Sequence, residues 1–188
     1  MTVAKQTQIT RLLNSMVRGE PKARTRLWEL VYDDLAAIAR SRLARLDAGL
    51  LLEVTDLVHE VYLKLMSAEA PWESRRHFYG VASLAMRDLL VDESRKEGRL
   101  KRGGGLQRIT FHEGRVGENA KPVDWLALGE ALDRLKETSP EQHEIVLLRY
   151  FCGLSVDEVA RTLGISPSSV DREWRFARAW LLRCLSAS

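Results

Sequence analysis

The stretch from Ser155 to Leu185 constrains the fold most tightly. Ser155 and Glu158 stand three apart in Ser155-Val156-Asp157-Glu158, the capping-box spacing that opens a helix. The helix so opened, Val156 to Leu163, is short. Gly164-Ile165-Ser166 follows as a tight turn, and Ser166-Pro167 opens a longer helix that runs to about Leu185. Short helix, glycine turn, long helix is the helix-turn-helix pattern. The residue types fit it. Ala160 is small enough for two helices to approach closely, and Gly164 accepts the left-handed backbone that ends the first of them. Ile165 plugs between the helices. Val170 and Trp174 are spaced to face inward, which leaves Pro167, Ser168, Ser169, Asp171, Arg172 and Arg175 on an outer face suited to a major groove.

The rest of the chain is also read as helix. Ile9, Leu12, Leu13 and Met16 mark one helix over 6–18, and Ala23, Leu27, Leu30, Val31, Leu35, Ile38 and Leu43 mark another from Lys22 to about Ala44. Leu57, Val58, Val61, Tyr62 and Leu65 predict a third from Val54 to Met66, and a fourth is expected from about His77 to Lys96. Gly98 to Lys121 holds a Gly103-Gly104-Gly105 run and no helical period, which is linker composition, with a short strand-like patch at Ile109-Thr110-Phe111. Ser139-Pro140-Glu141-Gln142 carries a further start signal, with Ser139 as cap and Gln142 closing a capping box. The expected fold is all-α: two small helical domains, 5–97 and 123–186, joined by a flexible linker, 98–122. Neither half alone buries much core, so each is expected to be marginally stable without a partner.

Charge and composition exclude much. Hydrophobic residues make up 45% and charged residues 29%, so the chain is built to fold. Two cysteines and four scattered histidines give no disulfide framework and no metal-ligand spacing, so no metal or cofactor is expected. No apolar run is long enough for a signal peptide or a membrane span, which predicts a cytoplasmic protein with no membrane insertion. The net charge of +3 is uneven: residues 70–121 hold 11 basic and 7 acidic residues, whereas 122–188 hold 8 and 10. A basic middle segment points to a polyanion partner. No catalytic constellation is visible, and Gly103–Gly105 lacks the Lys-Ser/Thr of a phosphate-binding loop.

Cys152-Gly153-Leu154-Ser155-Val156-Asp157-Glu158-Val159-Ala160, Leu163-Gly164-Ile165-Ser166, Ser169-Val170 and Phe176-Ala177-Arg178 resemble region 4 of bacterial sigma-70 family factors, in the form of the extracytoplasmic-function (ECF) group. Region 4 look-alikes also occur in response-regulator output domains, so the N-terminal half decides. Leu57-Val58-His59-Glu60-Val61-Tyr62-Leu63-Lys64-Leu65 resembles the region 2 helix that docks on the coiled coil of the polymerase β′ subunit. Asp92 before Arg95 and Lys96 fits the following helix of region 2, which reads and melts the −10 element. The resemblance covers about 160 residues, in the family's order.

It implies a non-enzymatic initiation factor whose partners are core RNA polymerase (β′ and β subunits) and promoter DNA. Polymerase-binding residues would be Glu53, Asp56 and Glu60. Trp72, Arg75, Arg76, His77, Phe78, Tyr79, Arg87 and Arg95 would serve the −10 element, since melting calls for aromatic stacking and a basic track. Ser168, Ser169, Asp171, Arg172, Arg175 and Arg178 would serve the −35 element. The chain departs from the family pattern in three places. Gly80 stands where many members carry Trp, and Asp171 and Glu173 stand where basic residues are common. In Glu53-Val54-Thr55-Asp56, Thr55 replaces a common carboxylate. A phosphothreonine would restore that charge. This resembles the subgroup controlled by a Ser/Thr kinase in place of an anti-sigma factor. As a plain structural residue, Thr55 would be a helix N-cap. The competing functions are a helix-turn-helix regulator that acts without polymerase, and a serine recombinase. The latter would need an α/β catalytic half, which the helical periodicity of the N-terminal half contradicts.

Overall fold

A computed structural model describes residues 3–43, 53–66, 74–100 and 124–186. Every element among them is helical. The N-terminal half contributes α1 (Val3–Val17), α2 (Ala23–Leu43), α3 (Val54–Met66) and α4 (Arg75–Leu100). The C-terminal half contributes α5 (Trp125–Thr138), α6 (Pro140–Val146), a π-helical turn (Leu147–Phe151), α7 (Val156–Leu163) and α8 (Pro167–Ser186). Trp72, the Ile109-Thr110-Phe111 patch and all but the first three residues of the expected linker lie outside the described residues. Those three residues, 98–100, continue α4.

The periodicity of each segment places its apolar stripe inward. In α3, Leu57, Val58, Val61 and Leu65 are buried, while His59, Glu60, Leu63 and Lys64 face out. In α2, Ala23, Leu27, Val31, Leu35 and Ala39 are buried one or two turns apart. The buried residues of both halves belong to one continuous hydrophobic cluster, from Ile9 and Leu13 through Met86 and Leu90 to Trp125, Leu148 and Leu181. Each half thus supplies apolar surface that the other covers, which offsets the small core of either alone.

The start signals divide. Ser155 and Glu158 form the reciprocal capping box: the Ser155 side chain accepts from the Glu158 N–H, and the Glu158 carboxylate accepts from the Ser155 N–H at 2.9 Å. Gly164 ends α7 at φ 73°, and Ser166 Oγ accepts from the Ser169 N–H at 3.1 Å to open α8. The capping box expected at Ser139 and Gln142 does not form. Ser139 makes no side-chain cap bond, and Gln142 Nε2 instead donates to Glu173 on α8 at 2.9 Å. Ser139 directly follows α5, and its N–H goes back to the Leu135 carbonyl. A junction of two helices with no loop leaves the serine poorly placed to cap forward.

His143 is buried on α6, and its imidazole is pushed down to about 4, first by burial and then by the charges of Arg87 and Lys136. The folded protein therefore holds it neutral. As pH falls below the ordinary value near 6.5, the unfolded chain takes up the proton first. The associated stability is intact above about pH 6.5 and is lost on the way down to about 4. His143→Gln is expected to remove about 2–3 kcal/mol of the acid-side decline, read as the change in urea-unfolding free energy between pH 7 and pH 4.5.

Candidate nucleic-acid and partner interfaces

α8 carries two faces. Val170, Trp174, Ala177 and Leu181 are buried against the C-terminal half, and the Arg149 guanidinium sits over the Trp174 ring, 5.0 Å from its centre. The opposite face at the N-terminal end is exposed: Ser168, Asp171, Arg172 and Arg175. Ser166 Oγ lies 2.9 Å from both Ser168 Oγ and Ser169 Oγ, which orders the first turn. Asp171 pairs with Arg175 at 3.3 Å, and Glu173 with Arg172 at 2.9 Å. The Glu173 carboxyl is held below its usual range by the Gln142 amide and by Arg172. The two acids on this helix are thus matched by neighbouring arginines, whose forks remain at the surface. Arg178 is half-buried, further along the helix. Phe176 is 61% exposed on α8. Its exposure was not legible, because one helical period cannot separate a core-edge aromatic from a presented one.

Around α3, Glu53, Thr55, Asp56 and Glu60 are all exposed. The Glu53 N–H donates to Asp56 Oδ2 at 3.3 Å across the helix start. Glu53 precedes the helix, so Thr55 is its second residue and not its N-cap. That corrects the structural expectation for Thr55: its hydroxyl is left at the surface of the first turn. Asp56, His59 and Glu60 line a groove of about 530 Å³ together with Leu89, Asp92, Glu93 and Lys96 of α4. Four carboxylates in this groove face one lysine and one histidine. Within it Asp92 pairs with Arg95 at 3.3 Å and Glu93 with Lys96 at 3.0 Å.

The expected −10 residues on α4 do not form an open track. Phe78 and Tyr79 are 2% and 5% exposed, inside the core cluster, which corrects the expectation that they stack on bases. They fall on the inner stripe with Ala82, Ala85 and Met86. Tyr79 gives its carbonyl to the Cys152 thiol at 3.4 Å, and burial pushes that thiol up to about 12. Arg75 Nη2 donates to the Arg161 carbonyl at 3.1 Å. Arg76 forks onto both oxygens of Glu144 at 2.6 and 2.5 Å, and this partner raises its pKa above the ordinary value. Arg87 donates to the Gly129 carbonyl at 3.0 Å and pairs with Asp133 and Asp88. His77 is half-buried, with its N–H capped by Ser74. Arg95 alone of this set is exposed and held only by a neighbour on its own helix.

Arg42 joins the halves as well. Its Nε and Nη2 donate to the Tyr150 carbonyl at 3.0 and 2.6 Å, and its guanidinium lies 3.8 Å from the Tyr150 ring centre. The π-helical turn alters the local ladder and offers that carbonyl to a partner. Nothing in the periodicity of α2 singles out Arg42, and nothing in the C-terminal half singles out Glu144 or Asp133. Pairings of this sequence separation carry no local signal.

The model of the ECF sigma factor family matches residues 6–187. The chain belongs to the ECF sigma factors, the proteins that direct RNA polymerase to promoters. Comparison with curated protein sequences finds no match. Among solved structures the chain is similar to one described as CnrH in complex with the cytosolic domain of CnrY. The identity is 20% and the TM-score 0.43, over 96% of this chain and 99% of that one. No helix among the described residues is long and apolar enough to cross a membrane.

Proposed function

We propose that residues 5–97 dock on the β′ coiled coil of core polymerase and engage the −10 element, that 123–186 bind the −35 element, and that phosphorylation of Thr55 switches docking on. Glu53, Asp56 and Glu60 provide the acidic docking face, and the exposed start of α8 provides the −35 reader. The observation that supports the switch is the position of Thr55. It is exposed at the second position of a helix, between Glu53 and Asp56, where an added anion is favoured by the helix N-terminus. Unmodified, the helix start presents only those two carboxylates to a basic surface. A phosphate adds about −1.5 to −2 charges. The kinase and any anti-sigma factor belong to this reading as regulatory partners of the same face.

The test is core-polymerase affinity of the unmodified, phosphorylated and Thr55→Ala proteins at low and high salt. The phosphorylated form is expected to bind tightest, with an advantage that shrinks as salt rises. Equal affinity of all three would remove Thr55 from the mechanism. Glu60→Lys should weaken binding in every form by placing a like charge against the basic partner. On α8, Arg172→Ala or Arg175→Ala should cost about 1–3 kcal/mol at promoters where the side chain meets a base, and little elsewhere. Normal transcription of every promoter by both variants would contradict the −35 assignment.

A further inference from the structure

Four arginines of the N-terminal half donate to the C-terminal half: Arg42 to the Tyr150 carbonyl, Arg75 to the Arg161 carbonyl, Arg76 to Glu144, and Arg87 to Asp133 and the Gly129 carbonyl. Three of the four lie on α4, the helix read above as the −10 reader. A guanidinium fork on a carboxylate has the geometry and charge of a guanidinium fork on a phosphate. The same arginines cannot serve both.

The promoter imposes a second constraint. Elements centred near −10 and −35 are roughly 25 base pairs apart, and at about 3.4 Å per pair that is about 85 Å of duplex. Here the two halves touch through side chains. The chain between Leu100 and Asp124 reaches about 80 Å when fully extended, so the two halves are able to part by a comparable distance.

We propose that Glu144 and Asp133 are intramolecular stand-ins for promoter phosphates, holding the α4 arginines in a self-occluded state that exchanges for DNA. This rests on the reading of α4 as a DNA-contacting helix. The pairs suit exchange. The Arg76 side chain is 55% exposed and that of Asp133 is 63% exposed, so both pairs are open to salt and to a competing polyanion. The apolar contacts between the halves favour closure without engaging a DNA-binding group. The carboxylates therefore set the competition with DNA.

The test uses the full chain with the double substitution Glu144→Gln and Asp133→Asn, which removes charge and keeps volume. A control, Glu130→Gln with Glu137→Gln, makes the same change in net charge at two exposed positions of α5. Radius of gyration by small-angle scattering reports opening, and anisotropy of a fluorescein-labelled single-stranded 20-mer of mixed sequence reports DNA binding. The double variant is expected to be more expanded than wild type and to bind the oligonucleotide at least tenfold more tightly. The control should stay compact and gain less than threefold. Adding Arg76→Ala and Arg87→Ala to the double variant should abolish the gain. If those alanines lower affinity but the double variant never exceeds its control, α4 binds DNA and the occlusion is wrong. If the alanines leave affinity unchanged in the opened chain, the α4 reading itself fails, and the proposal with it.

Discussion

Trp174→Ala is expected to destabilise the chain by about 3–5 kcal/mol, the range for truncating a buried large aromatic. Trp174 is 2% exposed on α8 and lies under the Arg149 guanidinium. Its removal deletes ring contacts with the C-terminal half and leaves a half-buried guanidinium without its aromatic face. Against a typical total of about 5–15 kcal/mol, that is a large fraction. The functional effect follows from the same residue, because Trp174 fixes the rotation of α8 that turns Arg172 and Arg175 outward. Urea unfolding should show a lower midpoint, and −35-dependent transcription should fall further than Arg172→Ala alone lowers it. Trp174→Phe should restore most of both. A Trp174→Ala protein as stable as wild type would mean that α8 is not anchored through this side chain.

Gly153→Ala is expected to cost about 2–4 kcal/mol, from two sources. Gly153 has φ +64°, where a side chain costs about 1–2 kcal/mol. Its added Cβ would also stand 3.0 Å from two carbons of Ile38 on α2, an overpacking of about 1–3 kcal/mol. Gly164→Ala separates the two sources, since Gly164 has φ +73° and open space around its would-be Cβ. It should show only the smaller backbone cost. The contact at Gly153 lies between the halves, so Gly153→Ala should also expand the molecule in scattering, whereas Gly164→Ala should not. Equal effects of the two substitutions would place the whole cost in the backbone.

The elements that were legible are those written in local spacing. α3 is observed as Val54–Met66, the range its apolar stripe predicts, and the turn at Gly164 follows from one glycine and two cap signals. The same logic failed at Ser139, where two helices meet without a loop and Gln142 is drawn to Glu173 on α8. Phe78 and Tyr79 were ambiguous for a physical reason: stacking on bases and packing in a core call for the same side chains. Arg76 and Arg87 read as a phosphate track because their partners, Glu144 and Asp133, are 68 and 46 residues away. Pairs at such separation are decided by the packing of whole helices, which no single segment encodes. Thr55 was readable as an anomaly of charge, but only the helix start at Val54 shows that it does not cap.

The central claim is that this chain acts on DNA as a subunit of polymerase and not by itself. Core RNA polymerase mixed with the chain phosphorylated at Thr55 should be tested for initiation on a pool of genomic fragments from its host, beside promoter binding by the chain alone. The account predicts that defined start sites appear only when both proteins are present, and that the chain alone binds the same fragments weakly. Tight, sequence-specific binding by the chain alone, with no start site gained from core polymerase, would contradict it and identify a helix-turn-helix regulator instead.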